Sequence, residues 1–306
     1  MAAVSGDQEK LSYPAGLRAA IRVMKKYNTG SSSLAYECFG PEDGIPMVFL
    51  HGATVDHVSM KNTFEEYFSG LDREYRRVYV DLPGHGVSDY SFFRADVDNM
   101  LNEVGAFLQG NFANPPCLVG YSMGGFLALK LAEKTPYPAI FLVAPPVYTD
   151  NDRIDKPPTA GPAADELNEE ERGSADRRYL LLAAKKTAVT LKRYKANLAA
   201  GFSPGRWLYQ AKFFHNAASA DMTIDPGRIV SRTAFLVGQR DLLVGYRDQF
   251  ELSSRLKFSE YHSFNDCGHF LPIECPQFGS IFRNWLAAAA QDFPTEAAAA
   301  PAQVKL

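Results

Sequence analysis

No run in this sequence approaches the uninterrupted apolar length that a membrane-crossing helix needs, so no transmembrane segment is expected. Surplus charge is missing as well. Against 35 aspartates and glutamates stand 32 lysines and arginines, a net of -3, which gives no reason to expect nucleic acid as a partner. Cysteine is scarce: the 4 present, Cys38, Cys117, Cys267 and Cys275, have neither metal-site nor disulfide-framework spacing. A reduced, cytoplasmic setting fits them best. The first residues, Met1 to Lys10, lack the apolar stretch of a secretory leader, and no internal repeat is present. No metal or organic cofactor is called for. What is present is a chain of 306 residues, long enough for one large domain or one domain with an insertion.

Apolar strand-like runs alternate with helical patterns along most of the chain, which predicts an α/β fold. The expected architecture is a mostly parallel central sheet of about eight strands flanked by helices, with a helical lid insertion. The strands read from the sequence are Leu34–Cys38, Pro46–Leu50, Arg77–Asp81, Cys117–Gly120, Ile140–Ala144, Thr233–Gly238 and Glu260–Phe264. The core is thus expected over 34–146 and 229–286. Between them, over 147–228, the alternation stops. A Pro- and Ala-rich opening leads to an acidic run, one long helical pattern from Ser174 to Ala200, and an aromatic helix around Trp207–Phe214. No strand is evident there, so the segment reads as a lid over the C-terminal ends of the strands. Residues 1–33 read as an N-terminal extension with an amphipathic helix at Ala15–Tyr27, and the Ala- and Pro-rich 287–306 as a disordered tail.

The most informative motif is Gly120-Tyr121-Ser122-Met123-Gly124. Its context carries the signal: the buried-strand pattern Cys117-Leu118-Val119 comes before it, and an apolar helix stopped by Pro136 comes after. A serine at such a strand-to-helix corner is a nucleophile elbow. The glycines let strand and helix approach closely, and the helix start aims free N–H groups at the space above Ser122.

A serine hydroxyl needs a base, and the base needs a carboxylate to orient it. Asp241 follows the strand-like Ala234-Phe235-Leu236-Val237-Gly238, and His269 lies in the loop after the last strand. Among the 6 histidines, His51 and His85 sit in glycine-flanked loops that shape backbone. His57 has no obvious partner, His215 belongs to the insertion, and His262 falls within a strand. Asp266, Asp150 and Asp81 compete with Asp241 for the acid. The loop His51-Gly52-Ala53-Thr54 follows an early strand, which makes the Ala53 and Met123 amides the candidate oxyanion hole.

With His51-Gly52, Asp81-Leu82-Pro83-Gly84-His85-Gly86-Val87-Ser88-Asp89, the Ser122 elbow, Gly238-Gln239-Arg240-Asp241 and Gly268-His269-Phe270 in this order, the chain resembles the α/β-hydrolase superfamily, of the lidded type with a Ser-Asp-His triad. The resemblance implies Ser122, Asp241 and His269 as catalytic residues and hydrolysis of a small-molecule carboxylic ester through an acyl-enzyme. Haloalkane dehalogenases and epoxide hydrolases carry aspartate where this chain has Ser122, which excludes them. C–C bond hydrolases share the triad and stay open. The elbow is also similar to that of a menaquinone-pathway lyase, which follows its glycine pair with an arginine for an anionic substrate. Phe126 stands at that position here, and the insertion holds the basic residues that would substitute. A non-catalytic, hydrolase-like ligand-binding protein is the alternative of another class. Tyr121, Trp207 and Phe214 are expected to contact the substrate. Arg178, Lys185 and Lys192, spaced by seven, read as a basic stripe on one helix face, most simply a solvated one. Oligomeric state is not legible.

Overall fold

The computed structural model describes residues 24–148, 152–157, 162–203, 206–220 and 223–293. Its main sheet is built from β1 (Lys25–Asn28), β2 (Ser33–Phe39), β3 (Ile45–Leu50), β4 (Tyr75–Val80), β5 (Cys117–Tyr121), β6 (Ala139–Val143), β9 (Arg232–Gly238) and β10 (Ser259–Phe264). The 8 strands lie in the order β1-β2-β4-β3-β5-β6-β9-β10. From β4 to β10 neighbours run parallel, while β1 with β2 and β2 with β4 are antiparallel.

The central strands β5 and β6 are buried at every residue, as their unbroken apolar sequences require of strands covered on both faces. Alternation then sorts side chains between two cores. Val48, Leu118, Ile140 and Leu142 belong to one layer, with helices α2 (Val97–Asn111) and α3 (Met123–Ala132). Met47, Phe49, Val119 and Phe141 belong to the other, with α1 (His57–Phe64) and α10 (Phe278–Ala289). Helix α2 starts where Asp96 accepts from Asn99 N at 2.8 Å, and it buries Val97, Met100, Leu101, Val104 and Leu108 on one stripe. Helix α10 does the same with Phe278, Phe282, Trp285 and Ala289.

Between β6 and β9 the insertion departs from its expected form. It holds a pair of two-residue strands, β7 (Ala164–Asp165) and β8 (Lys185–Lys186), where no strand was expected. The acidic run forms its own helix, α4 (Glu169–Ser174), and the long helix expected from Ser174 to Ala200 is two, α5 (Arg177–Leu182) and α6 (Ala188–Ala196), parted by β8. Each begins at its own cap, Asn168, Asp176 and Thr187, whose side chains accept from amides three residues on. Those caps break the register, so Arg178 and Lys192 sit on different helices, Lys185 sits on β8, and no common basic stripe exists. Helix α7 (Trp207–Ser219) follows. Helices α8 (Arg247–Arg255) and α9 (Leu271–Glu274) complete the core.

The N-terminal expectation is also corrected. Lys25–Tyr27, assigned to a helix from the sequence, lies in edge strand β1, while residues 15–23 lie outside the described residues. Helix α10 continues past Leu286 to Ala289, so the core does not end at 286; residues 294–306 lie outside the described set. Among the described residues, no helix is long and apolar enough to cross a membrane.

Phe282 is fully buried, with Phe64, Phe141 and Trp285 rings at 4.9, 5.0 and 5.8 Å. Phe282→Ala should cost about 3–5 kcal/mol of stability in a denaturant titration. A loss below about 1 kcal/mol would mean that α10 does not close this core as described.

Candidate active site

The elbow is formed where β5 runs into α3. Ser122, between them, has φ 51° and ψ -119°, a conformation side-chain-bearing residues rarely adopt. Its own N–H donates to Val143 O at 2.8 Å, and its carbonyl accepts from Gly125 N at 2.8 Å. The close approach across this corner needs glycine: a β-carbon on Gly120 would stand 2.6 Å from Gly124 O, and one on Gly124 would collide with Leu50 O. The loop after β3 abuts the serine, since a β-carbon on Gly52 would lie 3.4 Å from Ser122 Cβ. Met123 N–H is among the first-turn amides that a helix leaves without an internal acceptor.

His269 and Asp241 come from loops after β10 and β9. His269 Nδ1 is 2.7 Å from Asp241 Oδ2. Asp241 is fully buried, and its other oxygen accepts from Leu243 N at 2.8 Å and Val244 N at 3.0 Å. Both of its oxygens are thus engaged, and the carboxylate is held in place. With Nδ1 bound to the acid, Nε2 of the imidazole is the nitrogen left for other work. Ser122 and His269 line one cavity of about 460 Å³, together with Ala53, Tyr121, Met123 and Phe214. Tyr121 reaches past the elbow to donate its hydroxyl to His269 O at 2.9 Å, so it braces the histidine loop as well as lining the cavity. Trp207 does not line it; that side chain is 65% exposed on the solvent side of α7.

The rival acids are occupied elsewhere. Asp266 pairs with Lys185 at 2.6 Å and is half exposed. Asp150 lies outside the described residues. Asp81 binds His57, the histidine for which the sequence offered no partner: Nδ1 is 2.8 Å from Asp81 Oδ1. Burial opposes the His57 charge, but Asp81, Asp56 and Glu37 outweigh it and raise its pKa. Asp56, His57 and Asp81 bring potential ligand atoms within 4.8 Å of one another. However, Asp81 also accepts from His57 N and Val87 N, and Asp56 caps α1 through Val58 N, so this group is satisfied within its own loops. His51 and His85 are buried and pushed down to about 3 and about 4 by that burial. Both brace backbone: His51 Nε2 accepts from Leu82 N at 3.0 Å, and His85 Nδ1 lies 3.0 Å from Pro83 O.

The profile of the alpha/beta hydrolase family matches residues 47–278. The chain belongs to the alpha/beta hydrolase family. It is similar to the magnesium-chelatase 30 kDa subunit of Rhodobacter capsulatus, 33% identical over 33% of this chain and 34% of that protein. A pimeloyl-[acyl-carrier protein] methyl ester esterase of Shewanella woodyi is 35% identical over 35% of this chain and 36% of its own. The chain thus spans about a third of the length of these two relatives. A proline iminopeptidase, PfmaB, of Pestalotiopsis fici is 25% identical over 79% of this chain and 92% of its own. Among solved structures, an alpha/beta superfamily hydrolase from Oenococcus oeni PSU-1 has a TM-score of 0.73 at 24% identity, covering 87% of this chain and 99% of that one.

One residue of the site escaped the sequence reading. Glu274, on α9, is 3% exposed, and its carboxylate accepts from Gly268 N at 2.5 Å and Ala184 N at 3.1 Å. It therefore ties the residue before His269 to the insertion. The signal was present in Gly268-His269-Phe270-Leu271-Pro272-Ile273-Glu274, an acid one short helix beyond the histidine, but only the fold shows which amides it serves.

Burial pushes the Glu274 carboxyl up to about 7 from an ordinary 4.5, despite the two amides. A group whose folded pKa is raised favours folding below its unfolded pKa and loses that contribution as pH rises through the folded one. The stability of the wild type relative to Glu274→Gln should therefore fall between pH 4.5 and about 7, by on the order of 3 kcal/mol, and stay level above. Parallel denaturant titrations across that range provide the check. A wild-type advantage that grew with pH would show the carboxylate is already ionised in acid.

Proposed function

We propose that this protein is a serine hydrolase that cleaves a carboxylic ester of a small molecule through an acyl-enzyme on Ser122. The observation that carries the reading is a serine on a strained turn sharing an apolar cavity with a histidine whose Nδ1 is held by a buried aspartate at 2.7 Å. In this reading His269 Nε2 takes the Ser122 proton as Oγ attacks the carbonyl carbon. The tetrahedral oxygen is received by the Ala53 and Met123 amides, each contributing roughly 3 kcal/mol. Collapse breaks the bond to the alcohol oxygen, which leaves with the proton carried by His269. Water, deprotonated by the same imidazole, then attacks the acyl carbon and restores Ser122. Asp241 keeps the imidazole in the required tautomer and offsets its transient positive charge.

The insertion acts as the lid in this scheme. Tyr194, Leu198 and Phe213 from it and Val97 and Phe126 from the core make the walls apolar, which suits a hydrocarbon acyl or alcohol group. The similarity to a methyl ester esterase supports ester chemistry, while another relative is a proline iminopeptidase.

A fluorophosphonate probe should label the wild type at Ser122, and Ser122→Ala should abolish labelling and lower ester turnover by ~10³-fold or more. Asp241→Asn should lower kcat by up to ~10⁴-fold, through the wrong imidazole tautomer. A folded protein that takes no label and turns over no p-nitrophenyl ester would instead be a ligand-binding member of the fold.

A further inference from the structure

Among the described residues that line the mostly apolar cavity beside Ser122, Arg178 on α5 is the one permanently charged side chain. We propose that Arg178 receives a carboxylate carried by the ester substrate, so that the substrate is a half-ester or a comparable ester with a second, anionic end. This rests on the serine-hydrolase reading and deepens it by naming the substrate class.

The guanidinium is held but not used up. It has five N–H donors, and among the described residues they meet the Asp176 carboxylate, the Thr54 hydroxyl and the Tyr194 hydroxyl, which leaves donors over. Nη2 is 3.2 Å from Asp176 Oδ2, and Nη1 is 3.5 Å from Thr54 Oγ1, the outer limit of a hydrogen bond. Asp176 divides itself among several donors: besides Arg178 it accepts the Tyr194 hydroxyl at 2.7 Å and Tyr179 N at 2.9 Å. The Arg178 side chain keeps 29% of its surface open. A bidentate partner of better geometry, such as a carboxylate, has donors available to it.

The guanidinium is also packed against an aromatic ring. It lies over the Phe202 ring at 3.7 Å, and Phe202 is bridged to Val55 in the loop after β3. Ser203 N donates to Thr54 O at 3.1 Å in the same contact. Thr54 follows the proposed oxyanion donor Ala53 and itself has a positive φ of 65°. The cation is therefore anchored to the wall that faces the scissile carbonyl. A planar guanidinium in a mostly apolar surround selects for a carboxylate and against an uncharged chain end.

The contrasting role is a clamp that merely holds the insertion to this loop. A clamp affects all esters alike, whereas an anion anchor changes the ratio between charged and uncharged ones. The test compares p-nitrophenyl half-esters of adipate, suberate and sebacate with p-nitrophenyl hexanoate, octanoate and decanoate. The wild type should favour the charged member of each pair in kcat/KM, by ~10-fold or more at the best chain length and mainly through KM. Arg178→Met should bring that ratio to about unity, and Arg178→Lys should retain part of it. No charged preference in the wild type, or a preference intact in folded Arg178→Met, overturns the proposal. If Arg178→Met does not fold, the wild-type ratio and the Arg178→Lys ratio decide. Calorimetric titration with adipamic acid and hexanamide reads the same preference without turnover. Fluorophosphonate labelling alongside separates the two claims: labelling without charge preference sinks only the anchor, and charge-selective binding without labelling sinks only the hydrolase reading.

Discussion

The arrangement depends on one backbone conformation being tolerated, that of Ser122. A non-glycine residue at φ 51° and ψ -119° costs on the order of 1–3 kcal/mol, and it persists only where the surroundings determine it from both sides. Here they do. The strand before it is buried at every position and paired on both edges, so it cannot shift to relieve the turn. The helix after it buries Gly124, Gly125, Phe126 and Leu127 within its first turns and cannot rotate. The missing β-carbons at Gly120 and Gly124 close the remaining gap. Strain at one residue is thereby spread over a sheet and a helix that have other reasons to stay where they are. The consequence is a hydroxyl lifted off the sheet into a cavity, beside amides that helix geometry leaves uncommitted.

Two aspartate–histidine pairs of nearly equal length lie within this fold, and their surroundings separate their roles. His269 meets Asp241 at 2.7 Å and lines the cavity with Ser122. His57 meets Asp81 at 2.8 Å, but its other nitrogen faces Glu37 Oε2 at 3.7 Å, with Lys61 bound to that same oxygen at 2.9 Å. An imidazole between carboxylates is driven toward its charged form and then has no basic nitrogen to offer. The second pair is thus a charge-balanced joint between α1, β2 and the loop after β4. Distance between acid and base identifies neither; what the second ring nitrogen faces does.

The legible parts of the fold were those in which one residue's neighbours along the chain determine its environment. Strands buried on both faces announce themselves by unbroken apolar runs, and β3, β5, β6 and β9 lie within a residue or two of their expected bounds. Ser122 stands at the end of one such strand and Asp241 three residues beyond another, whereas His269 follows β10, an edge strand with no fully buried residue. Where the environment is supplied from afar, the sequence was silent. Edge strand β1, Lys25-Lys26-Tyr27-Asn28, is polar because only one of its edges is paired, and its pattern did not distinguish it from a basic helix. The partnership of His57 with Asp81 spans 24 residues and that of Glu274 with Ala184 spans 90, distances over which composition carries no information. The break-up of the long helix is a different case. Asp176 and Thr187 are ordinary cap residues inside the expected span, Thr187 with a reciprocal box to Thr190, and weighing them above the apolar period would have divided the helix correctly.

The insertion bears on the site in a way that a simple cover would not. It contacts the histidine loop through Ala184 N and Glu274, and it contacts the loop after β3 through the Val55–Phe202 bridge and the Ser203 amide. Lys185 adds a third tie, reaching Glu274 O at 3.0 Å and Asp266 at 2.6 Å on either side of His269. The two loops that flank Ser122 are therefore both braced by one chain segment that also forms a wall of the cavity. A movement of that segment large enough to admit a substrate would loosen at least one brace unless it pivoted about them. Helix α7 exposes Trp207 and Leu208 on one face and buries Tyr209, Phe213 and Ala217 on the other, in the core layer that holds α2 and α3. The cavity wall that Phe213 and Ala217 supply is therefore held by the core, as the acid, the imidazole and the serine turn are.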